Sequence, residues 1–224
     1  MIPKTIHYCW FGQNEMPPLS VECIRTWKEH LPEYNFVKWN ETNSPNNAFI
    51  QYHLKEKNWA FVSDYVRLYA LYSQGGVYLD TDIEIIKPLD TLLKNSAFVA
   101  YQDKLTITNG VAGSVKDNIF FKDCMAYMIK RFEQNDNYHI SPIVTTNVIK
   151  SAEYDVKIYE SKYFYPYNPY DATKKIKTLM YSAISNDTYG IHHWALSWRV
   201  NKAQKIKKIT GICKLLQKVS TFFR

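Results

Sequence analysis

Residues 5–11 (TIHYCWF) are rich in β-branched and aromatic side chains and end at Gly12. That pattern predicts a buried strand running into a turn. Over residues 20–30 the apolar side chains Val21, Ile24 and Trp27 recur at helical spacing and Leu31 continues the stripe. A helix is predicted there, with Ser20 in the N-cap region and Leu31-Pro32 ending it. Residues 35–39 read as a second short strand and the polar run 40–47 as a loop. The strongest helix covers residues 59–74, where Phe61, Tyr65, Leu68, Tyr69 and Tyr72 share a face and Gly75-Gly76 stops the turn. Val77-Tyr78-Leu79 follows as a buried strand, then Asp80-Thr81-Asp82, then a strand over residues 83–86 before Lys87-Pro88. Further strands are predicted at 97–101, near Ile107, at 156–159 and at 189–193, with helices at 116–132 and 144–151. Strands and helices alternate and the strands are apolar throughout. This predicts a layered α/β domain around a mostly parallel sheet.

Composition changes the picture in two places. Aromatic residues make up 16% of the 224 residues, enough to fill a core or to line a site for sugars and bases. The net charge of +7 is local: residues 202–224 hold Lys202, Lys205, Lys207, Lys208, Lys214, Lys218 and Arg224 and no acid. The remaining 21 basic groups are balanced by 21 acidic ones. A neutral body argues against a nucleic-acid-binding face. Cys9, Cys23, Cys124 and Cys213 are scattered without a Cys-x-x-Cys or Cys/His spacing, so neither a zinc site nor a disulfide framework is expected. No signal peptide and no membrane span of about 20 apolar residues is predicted, and the expected location is cytoplasmic.

In the tail, Ile206, Ile209, Ile212, Cys213, Leu216, Val219 and Phe223 gather on one helical face, with Lys207, Lys214 and Lys218 opposite. This is the pattern of a basic amphipathic helix on an anionic membrane, although a helix docked on the body or on a partner fits as well. The expected division is a catalytic domain over residues 1–201 and a membrane-associating tail over 202–224.

The candidate chemistry centres on Asp80-Thr81-Asp82. Two carboxylates leaving the sheet at the end of an apolar strand sit where open α/β folds place ligands. On an alternating strand both point the same way, and hard oxygen donors suit Mn²⁺ or Mg²⁺ completed by substrate phosphates. One turn-pair upstream, Asp64 and Arg67 lie at i, i+3 on an apolar helix. They form either a structural ion pair or a grip on the hydroxyls of a polar ligand.

Ala60-Phe61-Val62-Ser63-Asp64-Tyr65-Val66-Arg67, followed by Gly75-Gly76-Val77-Tyr78-Leu79-Asp80-Thr81-Asp82, resembles the DXD region of the family 32 glycosyltransferases. It is also similar to the catalytic domain of the large clostridial glucosylating toxins. Residues 2–12 and 192–198 resemble the opening and closing blocks of the same group. The resemblance implies a GT-A fold, a Rossmann-like α/β/α sandwich, and transfer of a sugar from a nucleotide-sugar donor. It implies stacking of a base, uracil in preference to guanine, on Trp10. Asp64 and Arg67 would hold the donor sugar and diphosphate side, Tyr78 would lie near the donor, Asp80 would touch ribose or metal-bound water, and Asp82 would ligate the metal. Asn109 would meet the transferred sugar, unless Asn109-Gly110 is only a turn. The third ligand stays open: His192 first and His193 second by analogy with wider GT-A enzymes, or Ser197, with Trp198 on the phosphate, as in the toxin-like relatives.

The resemblance further implies retention of anomeric configuration. With no assignable covalent nucleophile, transfer is expected on the front face, the leaving phosphate helping to deprotonate the acceptor. The expected role is bacterial capsule, O-antigen or lipopolysaccharide synthesis on a saccharide acceptor, possibly lipid-linked, at the inner face of the cell membrane. The rivals are a toxin-like transferase acting on protein and a catalytically silent nucleotide-sugar or membrane-binding module.

Overall fold

A computed structural model describes residues 1–136 and 139–195. The element order is β1 (Thr5–Cys9), α1 (Pro18–His30), β2 (Asn35–Trp39), α2 (Ala48–Lys55), α3 (Trp59–Gln74), β3 (Gly76–Leu79), β4 (Ile83–Ile85), β5 (Ala97–Tyr101), β6 (Ile107–Ser114), α4 (Ile119–Glu133), α5 (Ser141–Ile149), β7 (Lys157–Tyr159) and β8 (Gly190–His192). Short 3₁₀ turns occupy Asp90–Lys94, Ser161–Tyr163 and Tyr181–Ala183.

Six strands form one sheet in the order β2-β1-β3-β6-β5-β7. Every strand runs the same way except β6, which is antiparallel to both β3 and β5. A small second sheet pairs β4 with β8, antiparallel. The alternation of side chains assigns the two faces. Tyr78, Ala97, Val99 and Ala112 point into a core shared with α2, α3, α4 and α5. Val77, Leu79, Phe98, Ala100 and Val111 point into a second core with Trp27 and Leu31 of α1 and Ile83 and Ile85 of β4. The result is the expected α/β/α sandwich on a mostly parallel sheet.

The predicted boundaries of α3, β2 and β5 coincide with the observed ones. Helix α1 starts earlier than expected: Pro17 is the N-cap residue, and Ser20 is buried inside the helix instead of capping it. Proline at the first helical position, with its fixed φ, makes Pro17-Pro18 the start signal. Helix α2, for which no element is predicted, follows the 40–47 loop and is capped by the Asn47 side chain accepting from the Ile50 amide. Between α3 and β3 the chain reverses on Gly75 (φ 70°) and Gly76 (φ 103°). A Cβ at either would stand 2.8 Å from the Lys116 amide nitrogen or 2.7 Å from the Thr5 carbonyl oxygen, so only glycine fits. This tight reversal carries the face of α3 that bears Asp64 and Arg67 back against the end of β3.

Cys9, Cys23 and Cys124 are buried free thiols. No helix among the described residues is long and apolar enough to cross a membrane. Ser197, Trp198, Cys213 and the basic tail lie outside the described residues.

Candidate active site

The site forms where β3 leaves the sheet. Asp80 follows β3 directly, and its amide donates to the Gly110 carbonyl of β6 (2.8 Å), which holds the exit from the strand in place. Arg67, reaching across from α3, spans three acceptors. Its Nη2 lies 3.0 Å from Asp80 Oδ1 and 3.1 Å from Asp64 Oδ1, and its Nη1 lies 3.4 Å from Asp80 Oδ2 and 3.3 Å from Asn109 Oδ1. The planar fork of a guanidinium suits this two-point grip on a carboxylate. Tyr78 is only 1% exposed: its ring lies under the guanidinium at 4.7 Å and its hydroxyl donates to Asp80 Oδ1 (3.1 Å). Tyr78 thus supports Arg67 and Asp80 from beneath, with no ring face open to a ligand.

Asn109 lies within β6, not in a turn as Asn-Gly suggested. Its Oδ1 accepts from Arg67 and from the Ser141 hydroxyl, and since a guanidinium can only donate the oxygen assignment is fixed. That leaves Asn109 Nδ2 buried without a partner. Ser141, the first residue of α5, also donates its backbone amide to Asp64 Oδ2 (3.1 Å). Gly110 is the small partner of this arrangement. A Cβ there would meet Asp80 Oδ2 at 2.6 Å and the Tyr165 hydroxyl at 3.0 Å.

Asp82 comes to the site through a second long-range pairing. Strand β8 sets His192 opposite Ile83, and His192 Nε2 lies 3.1 Å from Asp82 Oδ1. The next residue, His193, points the other way and meets Glu84 Oε2 at 2.8 Å, while its amide donates to the Asp82 carbonyl. Asp80, Asp82 and His192 each offer one donor atom, all within 4.8 Å of one another, and His193 is not among them. Two donors bound at right angles to one Mg²⁺-sized ion at about 2.1 Å stand about 3.0 Å apart. The Asp82–His192 separation matches that edge. The Nδ1 of His192 is buried without a hydrogen-bond partner.

Charge points the same way. Asp64 and Asp80 share the Arg67 guanidinium, and Asp82 lies beside Asp80, so three carboxylates gather in a largely buried place. Burial pushes the Asp80 carboxyl above its ordinary range, and the neighbouring Asp82 and Asp64 charges add to this, while Arg67 opposes them. A divalent cation would remove this repulsion.

Trp10 stands one residue beyond the C-terminal end of β1, half-buried, on the strand beside β3. Its indole Nε1 donates to the Asn14 carbonyl (2.9 Å) and its amide to the Trp39 carbonyl, which fixes the ring at the sheet edge. Sequence reasoning missed Ser141, Gly110 and Tyr165. Ser141-Pro142 signals a helix start, but nothing local says that this start abuts Asp64. Tyr165 carries no signal at all.

The likeness read from the sequence blocks is borne out. Residues 17–99 match the family described as glycosyltransferase sugar-binding region containing DXD motif. Inositol phosphoceramide mannosyltransferase 2 of Schizosaccharomyces pombe is 26% identical over 91% of this chain and 60% of its own length. Inositol phosphoceramide mannosyltransferase 3 of the same yeast is 34% identical over 53% of this chain, of which the match spans 35% of the relative. An uncharacterized glycosyltransferase of Acanthamoeba polyphaga mimivirus is 29% identical, with 76% of each chain covered. The chain thus spans little more than half, or less, of the two yeast proteins it matches. Among solved structures, the PaToxG glycosyltransferase shares the fold at TM-score 0.56 and 18% identity, covering 66% of this chain and 69% of that one.

Proposed function

We propose that this chain, which carries the DXD-containing sugar-binding region of glycosyltransferases on a GT-A sandwich, transfers a hexose from a nucleoside-diphosphate sugar to an acceptor hydroxyl in a divalent-metal-dependent, retaining reaction. The observation that carries this reading is the convergence of Asp80, Asp82 and His192 beside the Arg67 fork. Asp80, Asp82 and His192 would hold Mn²⁺ or Mg²⁺, which when bound supplies positive charge against the departing diphosphate. Trp10 offers the base a half-exposed indole face. Asp64 and the unpartnered Asn109 Nδ2 suit the hydroxyls of the donor sugar, and Arg67 keeps Asp64 and Asp80 aimed.

In the transfer itself the bond from the anomeric carbon to the phosphate oxygen breaks, and a bond to the acceptor oxygen forms on the same face. The acceptor proton passes to the leaving phosphate oxygen. Asp64 is held by Arg67 and by the Ser141 amide, so its tethered carboxylate favours a binding role over nucleophilic attack. The finer reading keeps a uridine diphosphate donor and a surface-polysaccharide acceptor, lipid-linked and met at the membrane. The names of the yeast relatives support a second reading in which mannose passes to an inositol-phosphate lipid head group.

The test is release of nucleoside diphosphate by the purified chain with Mn²⁺ across a panel of nucleotide sugars, followed by transfer to saccharide and to glycolipid acceptors. Binding of a nucleotide sugar without any Mn²⁺-dependent turnover would leave only a silent binding module.

A further inference from the structure

Two irregular segments, residues 102–106 and 165–183, enclose a groove of about 550 Å³ on the β8 side of the site. Asn168 Nδ2 ties them together by donating to the Gln102 carbonyl (3.3 Å). The groove adjoins the Asp80–Asp82–His192 group through its floor. Tyr165, which lines it, packs against the His192 ring at 5.4 Å, and the Tyr167 carbonyl accepts from the Trp194 indole, itself 4.3 Å from His192.

Exposed apolar side chains stand at the mouth of this groove and beside it. Ile176 (60% exposed) and Met180 (48%) line it, and Leu105 (80%) and Tyr181 (91%) directly follow the lining residues Lys104 and Met180 in sequence. Lys104, Lys174 and Lys175 line the same mouth and form no ion pair among the described residues. Two carboxylates lie nearby: Asp103 caps the Leu105 and Thr106 amides, and Asp171 accepts from the Thr173 amide and hydroxyl and also feels the charges of Lys174 and Lys177. Single exposed apolar residues are ordinary, but four on two adjoining loops, interleaved with lysines, make an amphipathic surface.

We propose that this rim docks on the head-group layer of an anionic membrane, with the apolar side chains entering the interface and the lysines meeting lipid phosphates. Charge and apolarity together match that one occupant: a purely polar polyanion would gain nothing from Leu105, Ile176 or Tyr181, and a neutral apolar partner nothing from the lysines. Docked this way, the groove opens toward the head groups with the carboxylate–histidine group behind it. What enters the groove rests on the transfer proposed above, whereas the docking does not.

The test uses the full chain, basic tail included, sedimented with phosphatidylcholine vesicles with and without phosphatidylserine. The wild type is expected to sediment with the anionic vesicles. The triple variant Leu105→Asp/Ile176→Asp/Tyr181→Asp should lose at least about tenfold in vesicle affinity, with its thermal midpoint and its Mn²⁺-dependent donor hydrolysis in vesicle-free solution unchanged. The pair Lys174→Glu/Lys175→Glu should lose anionic-vesicle binding likewise. Wild-type sedimentation of both variants overturns the rim and assigns membrane contact to the tail. Retention on an anionic polysaccharide without vesicle binding overturns it in favour of a charged glycan. Rim-dependent sedimentation by a chain that hydrolyses no donor sinks the transfer and leaves the docking surface standing.

Discussion

Arg67 holds both oxygens of Asp80, Nη2 to Oδ1 at 3.0 Å and Nη1 to Oδ2 at 3.4 Å, from a helix thirteen residues upstream. The same guanidinium pairs with Asp64 and anchors Asn109. Replacing it by methionine should cost about 3–5 kcal/mol in a denaturant titration, because two carboxylates are left without their cation. Arg67→Lys should recover part of the stability but little turnover, since one ammonium cannot span Asp80 and Asp64 together. Full activity in the lysine variant would show that the fork is only structural.

Asp82→Asn should lower Mn²⁺-dependent donor hydrolysis more than about 100-fold, a loss at least as large as removing a supporting residue from a metal site. Asp82 and His192 make up one edge of the group, so the Mn²⁺-induced rise in thermal midpoint should vanish as well. A purified variant that keeps near-normal turnover would remove the metal from its proposed place.

Gly110→Ala tests how tightly Asp80 is set. The added methyl would stand 2.6 Å from Asp80 Oδ2, and the carboxylate cannot step aside without leaving Arg67. Turnover should fall at least about tenfold, with weaker Mn²⁺ binding by calorimetry. Unchanged metal affinity would mean that Asp80 has room to move.

Trp10→Ala should raise the donor KM roughly tenfold, the loss of one base–aromatic stack, with kcat little changed. Trp10→Phe should restore most of the affinity. The half-buried ring holds no core position, so the thermal midpoint should move little in either variant. A fall in stability with an unaltered KM would identify Trp10 as packing.

Acid should destabilise the fold through two buried imidazoles. Burial lowers His53 from 6.5 to about 4 and lowers His7 as well, the latter against a hydrogen bond to the Gly75 carbonyl. His7 Nδ1 also accepts from the Trp39 indole at 3.1 Å, a bond that protonation would break. Below pH 6.5 the unfolded chain binds protons at these rings that the native chain does not. Stability is therefore fully present above pH 6.5 and falls as the pH drops toward about 4. Denaturation midpoints across this window should decline, and the decline should be shallower in His53→Phe. An equal slope in that variant would exonerate His53.

Helix α3 and the Asp80-Thr81-Asp82 exit were legible because aromatic spacing, the Gly75-Gly76 reversal and the apolar run 77–79 all say the same thing locally. Strand β6 was not. Asn109-Gly110 and Gly113 look like turn residues, yet the glycines are there because the Asp80 carboxylate and the Phe98 ring fill the space a Cβ would take. Asn47 was hidden in a polar run, so its capping of α2 went unseen. Of the site, the pairs close in sequence were readable and the distant ones were not. The choice between His192 and His193 follows from which way each points on β8, and only pairing with β4 decides that.

The β4–β8 ribbon joins segments 110 residues apart at Asp82 and His192. Local contacts form first and distant ones wait for the loop between them to close. Asp80 and Asp82 can therefore reach their strand exit while the third donor is still unplaced, and a nascent or truncated chain would hold two carboxylates and no imidazole. Completion of the proposed metal group becomes a late event in folding, so that a chain offering all three donors is one whose β8 strand has already docked.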